Sequence, residues 1–347
     1  MKRVKLLAAL FVVSILAVSI TAHAEEKTKE YNESWPESSV SNLDISNRFG
    51  EVRINNEGGN EVTIDVVVTV EAANERKTNE LLDQIEVEFK KSGSTVYAVT
   101  KIGNDFKSQR KFSIDYVVNI PSDKNLKIAN KYGNTIIGQL TANGDFDVKY
   151  GSFTAYDLST PESGSLTLSL AYGNGNIGTA SYLDLEVSYS PVTIEEVKGV
   201  TARTKYSTLN IEEGGDIQLE SKYDKFNFEE VESVTATTKY SHISIGELAK
   251  SLKVEAGYGG IKVDEVASGF DFITISNSYG QISLGLNSEN YMLDASCDYC
   301  GISYPEEEFT GDKIKENNSR TVKGKIGTGE GGKVTVKSRY GEIRLAD

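Results

Sequence analysis

The stretch Tyr189–Leu248 contains one nine-residue pattern four times. It runs YSPVTIEEV from Tyr189, YSTLNIEEG from Tyr206, YDKFNFEEV from Tyr223 and YSHISIGEL from Tyr240, so the period is 17 residues. A short fixed period of this kind is typical of a solenoid, in which each unit buries its apolar face against its neighbours.

The aromatic residue that opens each repeat recurs on both sides of this stretch. The further anchors are Tyr132, Tyr150, Tyr172, Tyr258, Tyr279, Tyr299 and Tyr340, and Phe49 takes the equivalent place in an early turn. If the anchor is position 0, apolar or small residues recur at −6, −4 and −2 and again at +3, +5 and often +8. Because side chains alternate faces along a strand, the change from even to odd positions requires a bend between the two sets. Glycine follows six of the anchors, and we expect the bend there, at +1, because glycine tolerates unusual backbone angles.

Each repeat is therefore predicted to be two short strands joined at a corner. The predicted fold is all-β, a parallel β-solenoid with short coils of mostly 17 to 22 residues. Helices are excluded in this region because no period near 3.6 is present and β-branched residues are plentiful. An antiparallel barrel or sandwich with glycine corners is the alternative, and the nearly constant coil length argues against it.

The repeats begin after an N-terminal region of different character. Residues 40–121 are predicted to form an antiparallel β unit that includes the first coil. One helix is expected at 72–85, with Leu81, Leu82 and Ile85 docking one of its faces. This unit would cover the unpaired strand edges at the end of the solenoid. Residues 122–347 are predicted to be solenoid repeats, interrupted by a loop insertion at 304–333 that hangs off the solenoid or folds over its C-terminal end.

The N-terminus carries the pattern of a secretory signal. Basic residues at Lys2, Arg3 and Lys5 precede an apolar run, and Ala22-His23-Ala24 forms a small-x-small cleavage site. We predict that residues 1–24 are a cleaved signal peptide, with an uncleaved anchor as the alternative. Residues 25–39 are expected to be a loose polar leader. The protein is then exported, to the periplasm or to the cell surface.

The charge balance limits the partners. The full chain has a net charge of −14, and removing three basic residues with the signal makes the mature chain −17. Such an acidic protein is a poor candidate for binding nucleic acid or anionic lipid through charge. No later segment is apolar for long enough to span a bilayer, so the mature chain is not expected to cross a membrane.

The arrangement resembles a family of bacterial exported proteins usually labelled "putative adhesin", related to the head-GIN type of β-solenoid domain. The resemblance rests on the signal peptide, the early turn Phe49–Ile54, the excursion that ends at Pro121, the tyrosine-glycine coils, and the segment Gly324–Gly329 before the last coil. It covers nearly all of the mature chain. It implies binding at the surface or envelope and supplies no catalytic residues.

Three columns of side chains are the candidate recognition features. The anchors Tyr189, Tyr206, Tyr223 and Tyr240 share the parity of the inward −2 and −4 positions, so we expect a structural ladder of stacked core or corner rings. A platform for sugar rings is the alternative. Two outward charge ladders are possible recognition surfaces for a cation or a basic partner, and a solvated surface is the simpler interpretation. They consist of Lys205, Lys222 and Lys239 at −1 and of Glu195, Glu212 and Glu229 at +6, with Glu196, Glu213, Glu230 and Glu247 at +7.

The remaining motifs indicate no chemistry. Cys297 and Cys300 form a C-x-x-C motif on a strand and a corner, where we expect a core thiol and a corner residue that point apart. A local disulfide is the alternative. Redox catalysis is not expected, because the motif does not lie at a helix N-terminus, which would lower the thiol pKa. The glycine-rich segment at 327–332 precedes a strand, so it cannot cradle a phosphate as a dinucleotide-binding loop does. His242 has no evident partner for acid–base work.

No catalytic, cofactor-binding or metal-ligating residue is therefore predicted, and no cofactor. The predicted function is a non-enzymatic binding scaffold of the bacterial cell envelope, with an unknown envelope protein or glycan as its partner. An envelope-signalling or structural accessory is the alternative. A polysaccharide-active β-helix enzyme is less favoured, because such enzymes use longer coils and grooves built from long loops.

Overall fold

A computed structural model describes residues 25–56, 59–161, 164–286 and 290–345. The predicted signal segment lies outside the described residues. One parallel β-solenoid runs through the chain and carries antiparallel strands at both ends. The predicted fold class is confirmed.

The described residues of the N-terminal part form seven strands and one α-helix, together with a 3-10 turn at Glu37–Ser39. These elements are β1 (Glu25–Pro36), β2 (Asn42–Arg48), β3 (Val52–Asn55), β4 (Glu61–Ala72), α1 (Glu75–Leu82), β5 (Ile85–Ser92), β6 (Thr95–Ile102) and β7 (Phe112–Asn119).

The central coils are built from thirteen strands. They are β8 (Asn125–Lys131), β9 (Thr135–Gln139), β10 (Gly144–Lys149), β11 (Ser152–Leu158), β12 (Leu166–Ala171), β13 (Asn174–Ser188), β14 (Pro191–Lys205), β15 (Thr208–Lys222), β16 (Lys225–Lys239), β17 (His242–Gly257), β18 (Ile261–Val266), β19 (Phe272–Ser278) and β20 (Ile282–Leu284).

The C-terminal part adds six strands. They are β21 (Tyr291–Asp298), β22 (Ile302–Ser303), β23 (Phe309–Glu316), β24 (Ser319–Ile326), β25 (Lys333–Arg339) and β26 (Ile343–Arg344).

The sequence period sets the register of the central coils. Ile194 pairs with Ile211, Ile211 with Phe228, and Phe228 with Ile245, so equivalent positions lie beside one another in adjacent strands. These side chains are almost completely buried. Each coil therefore extends the same apolar core, and every outward position becomes a column along the solenoid axis.

The N-terminal end is closed by strands that leave the order of the chain. β6 and β7 pair in parallel with the outer edges of β2 and β3, so the coil they form precedes the first coil of the sequence in space. β5 then pairs antiparallel with β6, while β4 and β1 follow antiparallel outside β7. The unit at 40–121 thus mixes parallel and antiparallel pairs, whereas the sequence suggested an antiparallel one.

Two expectations for this region have different outcomes. The predicted helix is present as α1, capped by the Asn74 side chain, which accepts a hydrogen bond of 3.0 Å from the Lys77 amide, and it buries Leu81 and Leu82. The prediction that residues 25–39 form a loose leader is wrong, because β1 pairs with β4 over its whole length. Half-buried and exposed side chains largely alternate along β1. Six of the twelve residues of this outer strand are lysine or glutamate, and such charges discourage further pairing at a free edge.

The last coil of the chain is not the last coil in space. β25 pairs in parallel with β19 on one side and with β21 on the other, so it lies between two coils that precede it in sequence. β24 pairs antiparallel with β21, and β23 pairs with β24. The insertion at 304–333 therefore contains a hairpin that extends the sheet beyond β21, in line with the second of the two expected arrangements.

The corner differs from its prediction in one respect. Phe49 and all eleven anchor tyrosines have left-handed backbones, with φ between 52° and 66°. The glycines at +1 do not. The bend therefore falls on the aromatic residue itself, and placing it at +1 was wrong.

Glycine at +1 is needed for a different reason, the close approach of neighbouring coils. A Cβ atom on Gly151 would overlap the carbonyl oxygen of Gly133, and one on Gly133 would overlap that of Gly50. Buried asparagines complete these corners: the Asn130 amide donates to the Gly50 and Asn134 carbonyls at 3.0 and 2.9 Å.

Gly151→Ala should destabilise the protein by about 3 kcal/mol or more, because the methyl group can fit only if two backbones separate. Gly257→Ala is the matched control, since a Cβ there meets no atom within 4 Å, and it should change stability by no more than about 0.5 kcal/mol. Urea unfolding of both variants measures the difference. Equal stability of the two would contradict the close packing of the corners.

Candidate functional site

The anchor residues form one continuous column of stacked aromatic rings on an outer corner of the solenoid. Neighbouring ring centroids lie 4.7 to 5.0 Å apart, with interplanar angles of 3° to 17°. In space the column runs Phe49, Tyr132, Tyr150, Tyr172, Tyr189, Tyr206, Tyr223, Tyr240, Tyr258, Tyr279, Tyr340 and Tyr299.

The left-handed backbone explains where the rings point. It reverses the chain at the anchor and turns the side chain outward, so that Tyr206 is 44% and Tyr223 39% exposed. The stacked rings therefore lie at the corner and not in the core, which is the second of the two places expected for the ladder. A left-handed non-glycine residue costs about 1–2 kcal/mol, whereas each aromatic pair contributes about 0.5–1.5 kcal/mol beyond its buried area. Because an interior ring stacks on two neighbours, the column offsets the strain of its own corners.

The stacking also limits what the column can bind. Both faces of an interior ring are covered by its neighbours, so only the ring edges and the phenolic hydroxyl groups face solvent. A sugar ring or a nucleic-acid base that stacks on an aromatic side chain requires an open face. The interior of the column thus cannot act as the stacking platform that was the alternative interpretation.

A second column lies directly behind the rings, at position +1. In the four most regular coils it consists of Ser190, Ser207, Asp224 and Ser241, all buried. Each side chain accepts a hydrogen bond from the +1 amide of the preceding coil, and the three serine hydroxyls donate to the carbonyl at −1. In these coils a serine or aspartate takes the place of glycine, and its side chain forms a hydrogen bond to the adjacent coil. These side chains are therefore structural.

Asp224 is the one ionisable member of this second column. Its carboxylate accepts hydrogen bonds from the Ser207 amide at 2.6 Å, the Thr204 hydroxyl at 2.8 Å and the Lys222 amide at 2.9 Å. Burial raises the pKa of the carboxyl above its ordinary value of 3.8, and these donors only partly oppose that effect. Asp224 was not among the predicted site residues, although an aspartate in a column of glycine and serine distinguishes it in the sequence.

The predicted lysine ladder lies beside the rings. Lys205 pairs in register with Lys222, and Lys222 with Lys239, and all three side chains are exposed. The Lys205 and Lys222 ammonium groups lie 5.5 and 5.3 Å from the ring centroids of Tyr206 and Tyr223. Among the residues that the structure describes, none of the three lysines forms an ion pair.

The predicted glutamates lie at another corner, across one face of the solenoid. Glu195, Glu212 and Glu229 are exposed there, and the strand register skips them. The residues in register are their neighbours Glu196, Glu213, Glu230 and Glu247. This second set lines a shallow groove of about 530 Å³ at Gly214 and Gly215, together with Asp216, Glu232 and Lys198.

The two cysteines lie close together at the Tyr299 corner. Cys297 and Cys300 are joined in a disulfide, so the expectation that they point apart is wrong and the alternative, a local disulfide, is correct. Cys300 takes the +1 place that serine occupies in other coils, and its sulfur lies 3.4 Å from the Asp298 carbonyl oxygen.

Within the described ranges, no group of three or more His, Cys, Asp or Glu side chains is arranged to hold a metal ion. No helix in those ranges is long and apolar enough to cross a membrane. His242, the only histidine there, is exposed and pairs in register with Lys225.

The architecture defines an acidic β-solenoid with a stacked aromatic corner. Residues 40–346 match the family Toastrack DUF4097, and the protein belongs to that family because the match covers most of the chain. The family-level resemblance drawn from the sequence is confirmed. None of the curated proteins matches the chain.

Several solved structures are similar to this chain at low identity. A "putative adhesin" from Bacteroides fragilis NCTC 9343 has 13% identity over 68% of this chain and 97% of that chain, with a TM-score of 0.39. A "putative lipid binding protein" from Parabacteroides distasonis ATCC 8503 has 10% identity over 74% and 96%, with a TM-score of 0.36. A "putative cell adhesion protein" from Clostridium sporogenes ATCC 15579 has 9% identity over 92% and 99%, with a TM-score of 0.21. Likeness at this level carries no argument about binding.

Tyr206→Ala should lower the free energy of unfolding by about 1–3 kcal/mol, because it removes two ring stacks and keeps a strained left-handed residue. Tyr156→Ala is the control: its ring is 66% exposed and lies outside the column. Thermal and urea unfolding measure both variants. If the two substitutions cost the same, the column does not stabilise the coils.

Asp224→Asn should reveal the cost of the buried carboxylate. Burial raises the pKa of Asp224 in the folded state. The stability of the wild type relative to the variant should therefore be greatest at low pH, where the Asp224 carboxyl is protonated in both the folded and the unfolded protein. This relative stability should be lost as the pH rises through the folded-state pKa. Urea unfolding of wild type and variant between about pH 3 and pH 7 tests this. A wild-type advantage that instead grows with pH would mean that the hydrogen-bond donors outweigh burial.

Proposed function

We propose that the protein is a non-enzymatic binding scaffold of the bacterial cell envelope, exported through a cleaved signal peptide. The observation that carries this proposal is the register of the central coils, in which outward side chains of one type stand above one another across successive coils. A surface of that kind suits an extended partner, because the same contact can be repeated along the axis.

The use of the polar side chains supports a scaffold rather than an enzyme. Buried Ser190, Ser207 and Ser241 each bond to the backbone of an adjacent coil or of their own corner, which leaves them no free hydrogen for chemistry on a substrate. The grooves along the coils are shallow and follow the axis. A catalytic site usually needs a concave pocket in which a few polar groups converge.

An envelope-signalling or structural accessory that binds a basic protein is the second candidate. The groove lined by Glu196, Glu213, Glu230 and Glu247 favours it. Carboxylates in neighbouring strands repel one another, and a basic partner would relieve that repulsion.

The test has three parts and uses the full chain expressed with its own N-terminus in a bacterial host. Export predicts a processed protein that begins at Glu25, detected by mass spectrometry of the periplasmic and extracellular fractions. A glycan array probed beside a pull-down from envelope extract then separates the candidates. A glycan signal supports the scaffold, whereas one stoichiometric protein partner without a glycan signal supports the accessory.

Two outcomes would overturn the proposal. An unprocessed protein that stays in the cytoplasm would remove the envelope assignment. Turnover of a polysaccharide that disappears on substitution of a single carboxylate would make the protein an enzyme.

A further inference from the structure

We propose that Lys205, Lys222 and Lys239, together with the tyrosine edges beside them, bind a linear anionic polysaccharide that runs along the solenoid axis. We call these residues the lysine–tyrosine ridge. This inference rests on the proposed binding function and names the class of ligand.

The first argument is the unbalanced charge of the ridge. The chain as a whole is acidic, with a net charge of −14, yet three lysines stand in register on adjacent strands about 4.8 Å apart. Like charges directly opposite one another destabilise a sheet. In the described part of the chain no carboxylate pairs with them, and the nearby Arg203 instead faces Asp184 and Glu220. A polyanion would neutralise all three lysines at once.

The same column is basic in a second segment of three consecutive residues. Arg48 pairs in register with Lys131, and Lys131 with Lys149. The Arg48 guanidinium lies 5.4 Å from the Phe49 ring centroid, and the Lys131 ammonium lies 4.9 Å from that of Tyr132. Uncharged Ala171 and Ser188 separate these residues from the ridge. A long chain could therefore contact two basic segments of one corner.

The second argument is the groove on the other side of the rings. It has a volume of about 710 Å³ and extends past four rings, from Tyr189 to Tyr240. Its lining also includes Pro191, Thr208 and Lys225, together with the buried +1 residues Ser190, Ser207 and Asp224. The groove follows the axis, so its shape fits an extended chain better than a compact molecule. Lys225 adds a fourth cation.

The third argument concerns the chemistry of the ligand. Phenolic and threonine hydroxyl groups donate and accept hydrogen bonds, as sugar hydroxyls require, and lysine binds carboxylate or sulfate through charge-assisted bonds. Single-stranded nucleic acid would also be attracted by charge, but its bases bind by stacking on open aromatic faces. The interior rings have their faces covered, so the geometry favours a polysaccharide.

Polygalacturonate is the probe, titrated calorimetrically into the full-length processed protein at low salt. Lys205→Gln/Lys222→Gln/Lys239→Gln should weaken binding at least about tenfold while leaving the melting temperature within a few degrees of wild type. The control is Lys198→Gln/Lys253→Gln/Lys315→Gln, which removes the same charge from exposed lysines outside the ridge and should change affinity less than about twofold. Methyl-esterified polygalacturonate and monomeric galacturonate should not bind.

Four results would overturn the inference. They are no binding of polygalacturonate, equal losses in the two triple variants, equal binding of inorganic polyphosphate, and ridge-dependent binding to vesicles that contain anionic lipid. If polygalacturonate fails but another envelope glycan binds, the proposed scaffold function stands and only the ridge assignment falls. If no envelope component binds, both fall.

Discussion

The left-handed aromatic corner is the constraint on which the rest of the structure depends. It brings successive coils so close that glycine, or a small side chain hydrogen-bonded to the preceding coil, must follow the anchor. The strain of a left-handed tyrosine costs about as much as one or two ring stacks contribute. The left-handed corner is thus stable only where the rings of successive coils stack, and a single isolated coil would not keep this conformation.

This arrangement also decides what the surface offers. The stacking that stabilises the corner covers the ring faces, so the column presents hydroxyl groups and edges. Lysines at −1 then lie beside those rings, and the carboxylates gather at a different corner across one face of the solenoid. One repeated sequence therefore separates positive and negative charge into two parallel columns, and recognition by either column follows the axis.

Much of the fold could be predicted from the sequence, because a 17-residue period fixes both the register and the inward positions, as the pairing of Ile194 with Ile211 illustrates. The left-handed backbone of Tyr206 could not be predicted from the sequence, since this conformation is unusual for tyrosine and its strain is offset only by neighbouring rings from other coils. The position of β25 between β19 and β21 could not be predicted either, because the order of the coils in space departs from their order in the chain. Lysine and glutamate columns follow from the period alone, whereas the buried hydrogen bonds of Asp224 require three-dimensional contacts.

A double-mutant cycle between Tyr206 and Tyr223 tests most directly whether stacking offsets the strain of the corners. Alanine substitutions made singly and together, followed by urea unfolding, should give a favourable coupling of about 0.5–1.5 kcal/mol for this adjacent pair. The same cycle between Tyr206 and Tyr258, three rings further along the column, should give none. Additive costs for the adjacent pair would contradict the account.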